Sequence, residues 1–181
     1  MGLAHRIGVF LDRDGTLTRP YHYPTRPEHL VPSDGIAEPL RRLARSGVAL
    51  VVVTNQSALA RGYLTDAGFT AAQSSFEREL ARVGVHFDGV YHCPHHPDGV
   101  VASLAVRCGC RKPAPGLLLR AAAEHGIDLA RSWMVGDQPS DVEAGRRAGC
   151  RTMLIGPPGH AVTTAQALWT IAGEVSADAD R

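Results

Sequence analysis

Two aspartates, Asp12 and Asp14, stand two residues apart directly behind the apolar run from Ile7 to Leu11. The run is short and a turn with Gly15 follows it, which predicts a buried β-strand that ends at this point. Carboxylates just beyond a strand end can point into the crevice where open α/β sheets bind ligands. Like charges this close repel unless a cation or a shared proton stabilises them. The pair therefore indicates a divalent-metal site or a nucleophile beside a general acid/base, against the alternative of a solvated Asp-Gly turn.

Three further segments carry polar groups to the ends of predicted elements. A second apolar run ends at Val53 and is followed by Thr54, Asn55 and Gln56, a turn that suits a phosphate oxygen, although a plain polar turn with a helix cap is the alternative. Lys112 lies in a proline-rich loop, and it is the only lysine among 19 basic residues, which favours a role for a compact ammonium group. The third segment follows a fourth apolar run and contains Asp137 and Asp141.

A cluster of cysteines and a histidine has the spacing of a metal site. Cys93, His95, Cys108 and Cys110 form the pattern C-x-H-x12-C-x-C, which offers three thiolates and one imidazole to a structural zinc ion. The loop between them has little apolar content, so metal ligation would supply folding energy that it lacks. Buried reduced cysteines beside a surface histidine are the alternative, and a redox role is weaker because bound zinc would occupy the thiolates.

Alternating apolar runs and helix-like stretches predict an α/β fold with a mostly parallel sheet that is covered on both faces. A loop from Arg19 to Pro32 with four prolines is a candidate substrate wall. We expect a single domain over 1–173 with a metal-binding loop at about 92–112, and a frayed tail at 174–181. The predicted strands are 7–11, 48–53, 87–91, 132–135 and 152–155, and the predicted helices are 34–46, 65–83, 116–125, 140–148 and 164–172.

Composition narrows the class of protein. The chain has 181 residues, a net charge of +1 and 44% hydrophobic residues, which is typical of a globular domain and gives no general attraction to nucleic acid or to a membrane surface. No run approaches the length of a transmembrane helix and the chain enters a strand almost at once, so we expect a cytoplasmic protein, with a monomer as the default.

The four segments resemble, in this order, the four motifs of the haloacid dehalogenase superfamily of phosphohydrolases. The matches are the run Asp12-Arg13-Asp14-Gly15-Thr16, the Thr54 turn, Lys112, and the segment from Gly136 to Asp141, so the resemblance covers about residues 7–155. The zinc-type loop and the segment 54–62 are similar to the heptose bisphosphate phosphatase and histidinol phosphatase family. That resemblance implies a Rossmann-like three-layer fold with no large cap domain, in which short loops and one small zinc-bound loop shape the site.

Two positions depart from that family. Ala58 stands where glycine is usual, and Gln138 stands where a lysine or another polar residue is common. The first departure could alter the turn that carries the phosphate contacts, and the second could alter the charge around the metal.

The resemblance implies a magnesium-dependent phosphatase that works through an aspartyl-phosphate. Mg²⁺ is expected between the carboxylates of Asp12 and Asp137 and the backbone carbonyl of Asp14. Asp12 is the expected nucleophile, and Asp14 the general acid and then the general base. Asp141 is expected to support the water network of the metal site, or Lys112.

The remaining predicted residues bind the substrate. Thr54, Asn55, Gln56 and Lys112 are expected at the transferred phosphoryl group, and Arg61 and Arg111 at a second phosphate, with Arg19 as a further candidate there. The leading substrate is a small sugar bisphosphate, a heptose 1,7-bisphosphate that loses its 7-phosphate. Histidinol phosphate is the alternative, because Tyr21, His22, Tyr23 and Glu28 on the proline-rich loop could meet an imidazole and an amine. A zinc-stabilised module that binds phosphate ligands without turnover is the alternative from another class.

Overall fold

The computed structural model describes residues 6–156 and 162–179. They form an α/β fold with five strands, six α-helices and two short 3-10 helices. The strands are β1 (Gly8–Leu11), β2 (Ala49–Asn55), β3 (Gly89–Cys93), β4 (Trp133–Gly136) and β5 (Arg151–Leu154), and the helices are α1 (Ala37–Arg45), α2 (Ser57–Ala60), α3 (Asp66–Arg82), α4 (Gly116–His125), α5 (Pro139–Ala148) and α6 (Thr164–Ala179), with 3-10 turns at Pro27–His29 and Leu129–Arg131.

The strands form one sheet in the order β3-β2-β1-β4-β5, and every pairing between them is parallel. β1 lies at the centre, where Val9 pairs with Leu50 of β2 on one side and Trp133 of β4 on the other. The chain builds β1, β2 and β3 toward one edge and then crosses back to place β4 on the opposite side of β1. This reversal of direction is the topological switch point where sheets of this type bind ligands.

Successive side chains of the central strands point to opposite faces of the sheet, so the core has two layers. Leu50 and Val52 of β2 pack on one face with helices α1, α3 and α6, whereas Val51 and Val53 pack on the other face with α4 and α5. All four residues are fully buried. The prediction of a three-layer fold with a sheet covered on both faces is therefore confirmed.

Several element boundaries differ from the sequence prediction. β3 lies at Gly89–Cys93 and not at 87–91, α1 begins at Ala37 and not at 34, and β2 continues through Thr54 to Asn55. Helix α6 continues to Ala179, so the expected frayed tail is helical from residue 174 to 179, while 180–181 lie outside the described residues. Val175 is 4% exposed and packs into the core, which explains why the helix does not stop at Gly173. The segment after β2 was predicted as a turn and instead contains the short helix α2.

Local side-chain bonds define where two helices begin. The side chain of Thr65 accepts a hydrogen bond from the backbone N–H of Gly68 at the start of α3, at 3.1 Å. Gln138 and Asp141 form a reciprocal capping box at the start of α5. Across the described parts of the chain, we find no helix with the length and apolar character that a membrane span requires.

Candidate active site

The candidate site lies at the switch point, where the carboxyl ends of β1 and β4 adjoin. Asp12 follows β1 and donates its backbone N–H to the carbonyl of Val135 in β4, at 2.9 Å. Asp137 follows β4, and Asp141 lies in the first turn of α5. Each of these three aspartates offers a carboxylate oxygen, and the three oxygens lie within 4.8 Å of one another. The sheet thus brings together three acidic residues that are distant in sequence.

Lys112 is buried in the middle of this acidic group, with 3% of its surface exposed. Its Nζ lies 2.6 Å from Oδ1 of Asp12 and 2.7 Å from Oδ1 of Asp141, and it donates to the carbonyl of Val53 at 2.8 Å. Burial works to lower the pKa of Lys112, but the two carboxylates outweigh it and hold the pKa above its ordinary value. The ammonium group is therefore charged, and its three hydrogens have three acceptors.

Asn55 holds the backbone of Lys112. Its Oδ1 accepts the backbone N–H of Lys112 at 3.0 Å, and its Nδ2 donates to the carbonyl of the same residue at 3.0 Å. Asn55 therefore positions Lys112, through two hydrogen bonds that the sequence pattern alone did not predict. One hydrogen of the Asn55 amide is not used in this pair, and its contact with a phosphoryl oxygen stays a prediction.

The acidic group needs a further positive charge. Burial raises the pKa of Asp12 to about 7, although Lys112 opposes the shift, and the nearby charges of Asp141 and Asp14 add to it. Burial also raises the pKa of Asp137 above its ordinary value. Oδ1 of Asp137 is buried and has no hydrogen-bond partner among the described residues. A hard divalent cation such as Mg²⁺ fits this set of oxygen donors, because it would satisfy the orphaned oxygen and neutralise the excess charge.

Two glycines make room for the carboxylates. Gly15 has a φ of +83°, and a Cβ at this position would lie 2.5 Å from Oδ2 of Asp137. At Gly136, a Cβ would overlap the carboxylate of Asp141. A side chain at either position would displace one of the acidic groups, which explains the glycines next to the aspartates in both motifs.

Asp14 is held by two neighbours. Arg13 donates from Nε to Oδ1 of Asp14 at 2.8 Å and from Nη2 to Oδ2 at 3.0 Å. Gln56 is 2% exposed, and its Nε2 donates to Oδ2 of Asp14 at 2.8 Å and to Oγ1 of Thr54 at 2.9 Å. The carboxylate of Asp14 therefore lies beside the Thr54 hydroxyl. Sequence reasoning missed Arg13, whose one signal was its position between the two aspartates.

A basic cluster joins the end of α2 to the Cys/His loop. Nη2 of Arg61 lies 3.4–3.5 Å from the ring nitrogens of His96, and Nη1 of Arg111 donates to the carbonyl of His95 at 3.2 Å. Burial and the charges of Arg111 and Arg61 lower the pKa of His96 below its ordinary value. Nε of Arg61 is buried with no partner in the ranges that the structure describes. Arg111 directly precedes Lys112 in the chain, and the contact of the two arginines with a second phosphate stays a prediction.

The four predicted zinc ligands converge. The sulfur atoms of Cys93, Cys108 and Cys110 lie 3.2–3.5 Å apart, and Nδ1 of His95 lies 3.5 Å from Sγ of Cys110 and 3.6 Å from Sγ of Cys93. Thiolates bound to zinc at about 2.3 Å in a tetrahedron would lie about 3.8 Å apart. The observed cluster is slightly tighter than that, and its donor set fits a closed structural zinc site.

The proline-rich loop forms the opposite wall of the site. Pro20, Tyr21 and His22 line a cavity of about 380 Å³ together with Asp14 and Asp137. A neighbouring cavity of about 570 Å³ extends past Asp137 toward the start of α6. The loop is therefore placed where a wall for bound substrate was expected. Arg19, a further candidate phosphate ligand on this loop, pairs with Asp34 at 2.8 Å, and both side chains are exposed.

The two departures from the family pattern are both accommodated. Ala58 is 3% exposed within α2, where its methyl group packs in a small apolar cluster with Leu59 and Phe69. Gln138 donates from Nε2 to Oδ2 of Asp137 at 2.9 Å, so it orients that carboxylate without adding charge. Neither departure removes a group from the site.

Fold and site together define a hydrolase of the haloacid dehalogenase (HAD) type, and a HAD-hydrolase-like family model matches residues 109–171. The curated D-glycero-beta-D-manno-heptose-1,7-bisphosphate 7-phosphatase of Yersinia pestis is 42% identical over 170 residues, 94% of this chain and 87% of that protein. The enzyme of the same name from Escherichia coli K12 is 42% identical over 86% of this chain and 81% of its own. The chain belongs to this heptose bisphosphate phosphatase family, and the resemblance drawn from its motifs is confirmed.

Solved structures agree with the sequence relatives. The D,D-heptose 1,7-bisphosphate phosphatase from B. bronchiseptica, complexed with magnesium and phosphate, has a TM-score of 0.80 and 30% identity, and the match covers 93% of this chain and 99% of that one. A HAD-like phosphatase from Mesorhizobium loti has a TM-score of 0.86 and 34% identity, over 96% of this chain and 87% of that one. The expectation that the protein is a phosphatase is confirmed.

Proposed function

We propose that the protein removes the 7-phosphate of D-glycero-D-manno-heptose 1,7-bisphosphate, with Asp12 as the nucleophile. The observation that carries the proposal is the buried contact of Lys112 with Asp12 at 2.6 Å and with Asp141 at 2.7 Å, in a chain 42% identical to curated 7-phosphatases. Such a contact places a fixed positive charge beside the carboxylate that would receive the phosphoryl group.

Asp12 and Asp137 would hold Mg²⁺, together with the backbone carbonyl of Asp14. The orphaned oxygen of Asp137 supports this assignment, and so does a relative solved with magnesium and phosphate. When bound, Mg²⁺ neutralises negative charge on the carboxylates and the phosphoryl group. Asp141 is not needed as a ligand, because its Oδ1 contacts Lys112 and its Oδ2 accepts the backbone N–H of Gln138 at 3.0 Å.

The reaction has two displacements at phosphorus. A carboxylate oxygen of Asp12 attacks the 7-phosphoryl group in line, the bond from phosphorus to the C7 oxygen breaks, and Asp14 gives a proton to the departing alkoxide. Asp14 then takes a proton from water as that water attacks the aspartyl-phosphate, which releases inorganic phosphate and regenerates Asp12. Lys112 and the hydroxyl of Thr54 stabilise the charge that builds on the phosphoryl oxygens.

Arg61 and Arg111 would bind the 1-phosphate, which the enzyme must recognise without transferring it. A guanidinium fork matches the geometry of a phosphate and forms charge-assisted hydrogen bonds with it. The unpartnered Nε of Arg61 supports this role. The four-ligand cluster would hold a structural Zn²⁺ that fixes the loop from which Arg111 projects.

The alternatives from the sequence are less well supported. Histidinol phosphate carries an amine and an imidazole, whereas Arg61 at the end of α2 and Arg111 on the Cys/His loop offer guanidinium groups, which favour an anion. The curated relatives at 42% identity carry heptose bisphosphatase names. A binding module without turnover would have no need for the nucleophile, the acid/base and the buried lysine together.

The test is the regiochemistry of phosphate release, followed by ³¹P NMR with Mg²⁺ and either anomer of the heptose 1,7-bisphosphate, with histidinol phosphate in parallel. We expect the 7-phosphate resonance to disappear while the 1-phosphate resonance persists. We also expect the β anomer to react faster, as in the names of the relatives at 42% identity. Faster release from histidinol phosphate, or loss of the 1-phosphate first, would overturn the proposal.

A further inference from the structure

Arg13 occupies the position between the proposed nucleophile and the proposed acid/base, and it is 1% exposed. A buried guanidinium group is costly unless its donors are paired. Two of its nitrogens, Nε and Nη2, form a bidentate pair with the two oxygens of Asp14, at 2.8 and 3.0 Å. Such a fork fixes the plane of the carboxylate as well as its distance.

Helix α3 supports the other side of the guanidinium group. Nη1 of Arg13 donates to Oε1 of Gln73 at 3.2 Å, and Gln73 in turn donates to Oε1 of Glu77 at 3.0 Å. The ring of Phe69 lies beneath the guanidinium, with Cζ 5.5 Å from the ring centroid. The backbone carbonyl of Arg13 accepts the N–H of Thr18 at 2.9 Å. Side chain and backbone are therefore both anchored.

We propose that Arg13 is a positioning residue for Asp14. The contacts with α3 hold the guanidinium group in place, and the guanidinium group fixes the carboxylate of Asp14, which transfers protons in the reaction. This inference rests on the proposed phosphatase mechanism and assigns a role within it. The Nε2 of Gln56 donates both to the clamped carboxylate of Asp14 and to the hydroxyl of Thr54, so it links Asp14 to a proposed phosphoryl ligand. Proton transfer requires the donor within hydrogen-bond reach of the leaving oxygen, so loss of the clamp removes the contribution of Asp14 without removing the residue.

The dependence of kcat/KM on the leaving group distinguishes a positioning role of Arg13 from a purely structural role. A sugar alkoxide is a poor leaving group and needs a proton from Asp14, whereas p-nitrophenolate departs without one. The value of kcat/KM reports only the steps through transfer of the phosphoryl group to Asp12. A lesion of the fold or of the metal site would lower kcat/KM for both substrates to the same extent.

The decisive variant is Arg13→Lys, which keeps the positive charge and removes the fork. We expect kcat/KM to fall by about 100-fold for heptose 1,7-bisphosphate, because general acid catalysis contributes at least that much, and to stay within about threefold for p-nitrophenyl phosphate. In the Asp14→Asn background the same change should have little further effect on kcat/KM for the bisphosphate, since the clamped group is then absent.

The time course of p-nitrophenyl phosphate hydrolysis gives a second test of the role of Arg13. With Asp14 misplaced, hydrolysis of the aspartyl-phosphate also loses its general base, so Arg13→Lys should release a burst of p-nitrophenol equal to the enzyme and then turn over slowly. This readout is independent of the sugar substrate. If the native protein fails to hydrolyse heptose 1,7-bisphosphate, the proposed substrate fails while the burst still tests the role of Arg13.

Two further variants complete the test. Gln73→Leu removes one support of the guanidinium group but keeps the Arg13–Asp14 pair, so it should show a smaller loss with the same substrate dependence. Arg151→Lys is the matched control, because Arg151 also lies over an aromatic ring, that of Trp133 at 4.6 Å, and pairs with a carboxylate, that of Glu174. We expect this control to leave both kcat/KM values unchanged. Equal losses for the two substrates in Arg13→Lys without a burst, or no loss for either, would overturn the inference.

Discussion

Lys112 is held by groups from three different segments: Asp12 after β1, Val53 within β2 and Asp141 in the first turn of α5. One ammonium group thereby links the central strands at the edge where their carboxyl ends meet. Three aspartates surround this single positive charge, so the site retains excess negative charge until a cation binds. The only lysine of the chain lies where a compact charge with three donors fits and a planar fork does not.

Replacement of this lysine by the other basic residue tests that argument. We expect Lys112→Arg to lower kcat by about 100-fold or more, as loss of a preorganised charge in an active site typically does. The guanidinium group cannot satisfy three acceptors at 2.6–2.8 Å in the same pocket. Steady-state kinetics with Mg²⁺ measures the effect, with the exposed Arg120→Lys as control. Retention of more than a tenth of native activity would show that charge alone suffices.

The sequence predicted which residues reach the site better than it predicted what each one contacts. Asp12 and Asp137 follow strand ends that must converge at one edge of a parallel sheet, and Lys112 was singled out as the only lysine of the chain. The use of the Asn55 amide on the Lys112 backbone depends on a contact between residues 57 positions apart. The clamp on Asp14 depends in the same way on the rotamer of Arg13 and on its packing against α3. Such contacts are tertiary, and no local pattern encodes them.

At the scale of elements, the Cys/His loop is the segment that carries Arg111 and Lys112 to the site. It leaves the sheet at Cys93, the last residue of β3, and returns at α4, where the N–H of Gly116 donates to the carbonyl of Gly109 at 3.0 Å. Its few apolar contacts cannot hold it alone, so we expect the zinc ion to set its conformation.

Removal of one ligand should therefore loosen the loop and reduce activity together. We expect elemental analysis to find zinc in native protein and to find none in Cys110→Ser. We also expect this variant to lower the unfolding midpoint by roughly 10 °C, the shift that a loss of about 3 kcal/mol produces in a chain of this size. Cys150→Ser is the matched control, because Cys150 is also buried and is not among the four clustered ligands. Native protein that contains no zinc, or equal shifts in both variants, would contradict this assignment.

The elements themselves were largely predictable, because apolar runs in the interior of a parallel sheet are continuous and the intervening helices end at glycines. The exception is the end of helix α6, which extends to Ala179 and not to the predicted residue 172. The position of 174–181 at the end of the chain predicted fraying, yet Val175 continues the buried stripe that Leu168 and Ile171 begin on α6. Burial of that one side chain against the core outweighs the weak helix propensity around it.

At the scale of the whole molecule, the fold places two different walls around one acidic centre. The Cys/His loop contributes the guanidinium group of Arg111, which that of Arg61 joins from the end of α2, and the proline-rich loop contributes the cavity lined by Tyr21 and His22. A sugar with a phosphate at each end suits this layout, because one end needs a nucleophile and the other needs fixed positive charge.

The covalent mechanism is tested most directly by phosphate release from heptose 1,7-bisphosphate with Mg²⁺, measured for native protein and for Asp12→Asn. We expect turnover by the native protein and none that can be detected in the variant, while circular dichroism shows that both are folded. The variant keeps the size of the side chain and loses the nucleophilic oxygen. Near-full activity of Asp12→Asn would contradict the covalent mechanism.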